Sequence, residues 1–257
     1  MTRALTRTNF NSSRLLRVLA DLAMVDTVGS GSAFAQKLGL WVDFTDAITL
    51  RAAHDALTQS LLNSPPGQSS VTGDALFEEF TRVRSMLVQA IANSHSAKGA
   101  RSRIALPSPK VGASFDDAIA YEPYRRYYLA HQREMELHVR PLRAKVREAI
   151  ALVSPALRQL AELDAAFDGI LSERESRLLS SLPSLLENRF KQMLKGHQMA
   201  RVDNAAADTP DLWMKPGGWL AHFCGELQTV LVAELDMRLQ PTEGLMEALK
   251  KEIENQI

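Results

Sequence analysis

Apolar residues recur at three- and four-residue spacing along almost the whole chain, and no segment alternates apolar and polar residues as a half-buried strand does. This spacing gathers apolar side chains on one face of an α-helix. The longest stripe passes through Tyr128, Gln132, Met135, Val139, Leu142, Val146, Ala149 and Val153. It predicts one long central helix that is buried at Leu142 and kinked at Pro141. The whole pattern predicts an all-α fold, a helical bundle of about seven to ten helices.

Segments rich in proline and glycine interrupt the helical pattern. Segment 95–113 carries Pro107 and Pro109 among basic residues, which excludes a regular helix there. We expect an N-terminal helical part at 1–94, a basic linker loop at 95–113 and a C-terminal helical bundle at 114–257. One continuous domain is the alternative. Later helices are predicted at 155–171, 173–195, 219–239 and 242–256.

The charged residues are unevenly distributed. The chain has 30 basic and 30 acidic residues. Residues 98–147 contain 11 basic and 5 acidic side chains, whereas residues 148–257 contain 11 basic and 17 acidic ones. Two explanations are open. Either the two regions neutralise each other within the fold, or the basic region binds an anionic partner such as nucleic acid.

All four tyrosines of the chain lie between positions 121 and 128, interleaved with arginines. Successive helical residues are rotated by about 100°, so these rings cannot share one face. We predict that Tyr128 continues the buried stripe and that Tyr121, Arg125 and Arg126 lie nearer the surface. Cations that contact phosphates and rings that stack on bases would make this region a surface for nucleic acid or a partner protein. The residues of that hypothesis are Lys98, Arg101, Arg103, Lys110, Tyr124, Arg125, Arg126 and Tyr127.

Two tryptophans flank the turn sequence Pro216-Gly217-Gly218. Large aromatic side chains beside a turn either anchor it in the core or form an exposed binding surface. Trp213 and Trp219 are therefore candidates for partner binding, with buried anchors as the alternative.

Catalytic and metal-binding residues do not form a recognisable set. Cys224 lies two residues after His222 in a predicted helix, which directs the two side chains about 200° apart. His131, Glu134 and His138 can lie near one another on a helix but lack the further ligands of a di-metal bundle. We predict no catalytic residue, no metal site and no cofactor, and hence a protein that is not an enzyme.

The compartment is predicted from what the sequence contains. The single cysteine, Cys224, excludes an internal disulfide. No segment approaches about 18 uninterrupted apolar residues, and the first residues do not form an apolar signal core. These features predict a cytoplasmic protein without a membrane span. They leave the oligomeric state open.

Three segments resemble a known family: "RTNFNSSRLLRVLADLA" (7–23), "FAQKLGLWVDFTDAITL" (34–50) and "YRRYYLAHQREMELHVRPLR" (124–143). They are similar to an uncharacterised proteobacterial family whose genes often lie beside genes for MotA-like and MotB/OmpA-like proteins. That arrangement resembles the type III Zorya anti-phage defence system, in which cytosolic accessory subunits accompany a membrane-bound, ion-driven motor.

The resemblance implies a non-enzymatic accessory or adaptor subunit. Such a subunit binds partner proteins of the same operon, either another accessory protein or the motor. The alternative is a nucleic-acid-binding module, with DNA as its partner, that uses the basic region 98–147. The resemblance assigns no catalytic residue.

Overall fold

The computed structural model describes residues 14–24, 51, 71–93, 104–109, 119–202 and 210–256. These ranges contain α1 (Arg14–Asp21), α2 (Val71–Ala92), α3 (Glu122–Ile150), α4 (Pro155–Leu179), α5 (Leu182–Val202), α6 (Pro210–Trp213) and α7 (Trp219–Gln256). The described residues form no strand, which confirms the all-α prediction. No helix among them is long and apolar enough to cross a membrane.

In the described part of the chain, five long helices, α2 to α5 and α7, form the bundle, against the predicted seven to ten. The helices α1 and α6 are short. Prolines were expected to divide helices, yet Pro241 lies inside the 38-residue helix α7. Pro183 lies at the start of α5, where its missing N–H is tolerated. The predicted helices 219–239 and 242–256 are therefore one helix.

Local sequence signals explain both ends of α3 and the start of α4. Glu122 and Pro123 occupy the first turn of α3, and Arg147 lies in its last turn, where a cation complements the helix dipole. The Ser154 side chain caps α4 by accepting a hydrogen bond of 3.2 Å from the Leu157 amide. The Pro155 ring follows at the first helical position. A short turn at 151–153 thus joins the two helices.

Helices α3 and α7 form the centre of the bundle. The predicted stripe on α3 faces the core, since Tyr128, Met135, Leu142 and Val146 are all buried. The middle of α7 is buried on most sides because α7 contacts every other described helix. Tyr124 of α3 meets Phe223 early in α7, and Tyr128 meets Glu234 later in it, so the two helices run in the same direction.

The other helices pack around this pair. Along α2, Arg84 contacts Asp236 and the Ile91 carbonyl accepts from Gln228, so α2 is antiparallel to α7. Helix α1 packs on α7 through Leu15, Leu19 and an ion pair between Arg14 and Asp236. Most of segment 95–113 lies outside the described residues. The three-part domain division stays a prediction.

Candidate functional site

The tyrosine segment is buried, against part of the prediction. Tyr128 is fully buried as expected. Tyr121 is also buried, and its hydroxyl donates a 2.6 Å hydrogen bond to the Pro183 carbonyl. Tyr121 and Tyr124 each lie 5.6 Å from the Phe190 ring, measured between centroids. Burial raises the pKa of both hydroxyls. The prediction of a surface position for Tyr121 was wrong.

Burial also limits the predicted binding surface. Tyr124 and Tyr127 are each 3% exposed, so their rings are not accessible for stacking on bases. Tyr127 instead meets the His131 ring edge-on at 4.6 Å. Arg125 and Arg126 are exposed as predicted and lie within 3.8 Å of Glu122 on the same helix. The other cations of that hypothesis, Lys98, Arg101, Arg103 and Lys110, lie outside the described residues.

The two tryptophans belong to an aromatic cluster rather than to an exposed patch. Trp213 is 1% exposed, and its ring lies 5.5 Å from that of half-buried Trp219. His197 stacks on Trp219 at 5.9 Å. Gly217 has a φ of +86°, and a Cβ on Gly218 would collide with the Trp213 carbonyl. The turn therefore needs both glycines, and burial removes Trp213 from the candidate partner-binding residues.

Two groups with potential for catalysis or metal binding, Cys224 and His131, are buried in the core. Burial raises the pKa of the Cys224 thiol to about 12. His131 is 2% exposed, and its Nε2 has no hydrogen-bond partner among the described residues. His138 Nδ1 lies 2.8 Å from the Glu134 carbonyl oxygen. Among the residues that the structure describes, no three His, Cys, Asp or Glu side chains are grouped for a metal ion.

The buried imidazole of His131 predicts a stability that depends on pH. Burial lowers the pKa of His131 from 6.5 to about 4, so the folded protein keeps the ring neutral while the unfolded chain becomes protonated below its own pKa. The contribution of neutral His131 to the free energy of unfolding is therefore complete above pH ~6.5. It is lost as the pH falls toward ~4, at about 1.4 kcal/mol per pH unit. Urea unfolding across this pH range should show that His131→Leu loses less stability than the wild type as the pH falls. Equal acid losses in both proteins would contradict the assignment.

A cleft with a volume of about 820 Å³ opens between α3 and α4 and also reaches α7. The residues that determine its chemistry are Arg133, Leu137, Arg140, Arg143, Glu175 and Arg238. This volume lies in the range of roughly 300–1,000 Å³ that is typical of ligand pockets.

One end of the cleft is fixed by a network of two arginines and two aspartates. Arg143 of α3 lies 2.7 Å from Asp164 and 2.8 Å from Asp168, both on α4. Arg147, one turn further along α3, lies 3.1 Å and 2.9 Å from the same two carboxylates. All four side chains are at most 20% exposed, so solvent screens them weakly. The network holds α4 antiparallel against α3.

A second network lies behind the cleft and centres on Glu234, which is fully buried. Its carboxylate accepts hydrogen bonds from the Tyr128 hydroxyl at 2.6 Å and from Gln132 Nε2 at 3.0 Å. Arg238 Nε donates a third bond at 2.9 Å. Gln132 Nε2 also lies 3.1 Å from the Leu179 carbonyl, at the end of α4. The Glu234 carboxylate therefore joins α7 to α3, and Gln132 extends the network to α4. Arg238 is the cationic partner of this carboxylate.

Two arginines of the cleft have no ion-pair partner among the described residues. Arg133, Leu137 and Arg140 are spaced by four and three residues, so they form one stripe along α3, and all three are exposed. No ion-pair partner of Arg133 or Arg140 lies within 4 Å among the described residues. Leu137 between them is 67% exposed. Pro141 has no N–H to donate to the Leu137 carbonyl, so that acceptor lacks its usual helical partner.

The structure shows how several cations of the basic region 98–147 are paired. Arg143 and Arg147 are neutralised by α4, and Lys145 pairs with Glu79 of α2. For Arg143 and Arg147, the neutralisation of the basic region by the acidic region 148–257 is confirmed. Lys145 is neutralised from outside that acidic region. The stripe formed by Arg133, Leu137 and Arg140 was not singled out from the sequence. Its four- and three-residue spacing was visible, but the absence of charge partners was not.

A family model described as "Protein of unknown function (DUF3348)" matches residues 1–251. No curated protein and no solved structure matches the chain.

Proposed function

We propose that this chain, which belongs to the DUF3348 family of proteins of unknown function, is a non-enzymatic adaptor that binds a partner protein at the cleft between α3 and α4. One observation carries the proposal. An exposed leucine lies at a concave surface between two arginines that have no ion-pair partner in the part of the chain that the structure describes. Apolar contact flanked by charge is typical of protein recognition, in which arginine is enriched among the residues that dominate affinity.

The resemblance of the chain to accessory subunits of type III Zorya systems supplies the biological setting of the proposal. In that setting the adaptor works in the bacterial cytosol as part of an anti-phage defence system. Its partner is another accessory protein or the motor protein from the same operon. The cleft is the surface that we propose for this contact.

The chemistry of the enclosed groups is consistent with a protein that is not an enzyme. The Cys224 thiol stays protonated because burial raises its pKa to about 12, and a nucleophile requires the thiolate. The polar groups around Glu234 bond to one another and join three helices. The polar groups around Glu234 thus hold the helices in place.

Nucleic-acid binding through residues 98–147 is the second proposal. Exposed Arg125 and Arg126 support it, whereas the burial of Tyr124 and Tyr127 removes the expected stacking rings. Phosphate contacts without stacking give binding that depends steeply on salt and little on sequence. A test of the adaptor must therefore separate a direct protein contact from one mediated by nucleic acid.

The test is co-purification of the tagged chain with its operon neighbours, with and without nuclease. We expect a defined neighbour to remain bound after nuclease treatment, because the contact is between proteins. Loss of the neighbour on nuclease treatment would support the second proposal instead. If no neighbour is retained under either condition, the adaptor function is wrong. Arg125→Glu with Arg126→Glu should weaken binding only in the nucleic-acid case.

A further inference from the structure

We infer that the cleft takes an acidic segment of the partner, with one apolar side chain against Leu137 and carboxylates on Arg133 and Arg140. This inference rests on the proposed adaptor function and specifies the chemistry of its partner. It follows from the charges that the fold leaves without partners, from their spacing along α3 and from the exposed leucine between them.

The sign of the partner's charge follows from which groups of the cleft are already paired. Arg143 binds the carboxylates of α4, and Arg238 binds Glu234. The acids at the rim are paired as well, since Glu136 lies 3.7 Å from Arg238 and Glu173 lies 2.5 Å from Arg177. Within the described ranges, the charged side chains on the α3 side of the cleft that lack an ion-pair partner are the two arginines of the stripe.

Glu175 is the remaining acid of the cleft. Burial raises the pKa of its carboxyl, and so do the neighbouring Asp168 and Glu234, whereas Arg238 and Arg143 oppose that rise. It lies on α4, across the cleft from the stripe on α3. Its negative charge is thus partly balanced by cations of the fold, and the exposed arginines remain the sites for an incoming anion.

The spacing of the stripe limits the geometry of the partner. Arg133 and Arg140 are seven residues apart, which is about 10 Å along the helix axis at 1.5 Å per residue. Two carboxylates match this distance when they are seven residues apart on a helix or about three apart on an extended segment. Leu137 then meets the apolar residue that lies between them.

Two further features favour a peptide over an inorganic anion. An exposed leucine contributes binding only when an apolar group covers it. The Leu137 carbonyl, which Pro141 deprives of its helical donor, is available to accept a hydrogen bond from a backbone or side-chain N–H. A peptide supplies carboxylates, apolar side chains and N–H groups together, whereas phosphate or sulfate supplies only charge.

The inference is tested by direct binding of a synthetic peptide to the full chain. The probe is a fluorescein-labelled helical peptide with glutamates seven residues apart and leucines on the face between them. The comparison peptide carries lysines in place of the glutamates. In fluorescence anisotropy, we expect Arg133→Glu with Arg140→Glu to weaken binding of the acidic peptide by roughly tenfold or more, and added salt to weaken the wild type.

Matched variants separate the cleft from surface charge in general. Lys250→Glu with Lys251→Glu makes the same change of charge at exposed residues near the end of α7 and should alter affinity by less than about twofold. Leu137→Ala should weaken binding while leaving its salt dependence unchanged. Because all the substituted side chains are exposed, the melting temperatures should stay close to that of the wild type.

Several outcomes would overturn the inference. These are no binding of the acidic peptide, equal binding of the lysine peptide, or unchanged affinity after Arg133→Glu with Arg140→Glu. Tighter binding of a single-stranded oligonucleotide, lost in that same variant, would make the cleft a nucleic-acid site instead. If an operon neighbour co-purifies equally with the wild type and this variant, the adaptor function stands and the assignment of the cleft fails.

Discussion

Replacement of Arg238 by methionine is expected to lower the free energy of unfolding by about 3–5 kcal/mol. The Arg238 side chain is 9% exposed and lies 2.8 Å from Glu234, which is completely buried. Methionine has a similar length but no charge, so the variant keeps a carboxylate in the core without its counter-ion. Removal of one member of a buried ion pair costs more than removal of both. Urea unfolding of the wild type and the variant measures the difference.

Two further variants control this prediction. Glu136→Gln removes a carboxylate that lies 3.7 Å from Arg238 but is 54% exposed, so it should cost less than about 1 kcal/mol. Arg238→Met combined with Glu234→Gln should recover part of the loss, because the glutamine is neutral and still accepts from Tyr128 and Gln132. A cost below about 1 kcal/mol for Arg238→Met alone would show that the pair between Arg238 and Glu234 contributes little to stability.

Leu142→Asp is expected to destabilise the protein by more than the roughly 2–5 kcal/mol that truncation of a buried leucine costs. Leu142 is 3% exposed and lies in the predicted stripe of α3. Aspartate loses the apolar contacts and also places a carboxylate in the apolar core. Thermal or urea unfolding should show a large loss, and the variant should accumulate poorly when expressed.

Leu137→Asp is the matched control for Leu142→Asp. It makes the same chemical change on the same helix, five residues earlier, at a side chain that is 67% exposed. We expect a change in stability within about 0.5 kcal/mol, as is usual for surface substitutions. Similar destabilisation by the two variants would mean that the assignment of the buried face of α3 is wrong.

The buried face of α3 could be predicted because a repeat of three and four residues reports directly on one side of a helix. The position of Pro241 inside a continuous helix could not be predicted. Locally a proline in a helix costs about 3 kcal/mol. Helix α7 nevertheless continues through it, because α7 contacts every other described helix and its burial outweighs the lost hydrogen bond. The positions of helix breaks therefore depend on packing that no local window of sequence contains.

The candidate site was less predictable than the fold. Arg143 and Arg147 are one turn apart, and so are Asp164 and Asp168, which was a visible signal for two facing pairs. Glu234 gave no such signal, because its partner Tyr128 is 106 positions away in the sequence. The unpaired state of Arg133 depends on where the acids of other helices lie. Charge counts in the sequence cannot separate arginines that the fold neutralises from those that it leaves available.

The buried carboxylate of Glu234 also restricts how the bundle can move. A slide of α3 along α7 by one helical turn, about 5.4 Å, would carry the Tyr128 hydroxyl and the Gln132 amide away from it. The carboxylate would then lack two donors in the core, so such a ratchet faces a high energetic barrier. Thermal fluctuations should therefore not change the register between α3 and α7. If binding at the cleft displaces α3, we therefore expect α7 to move with it as one rigid body.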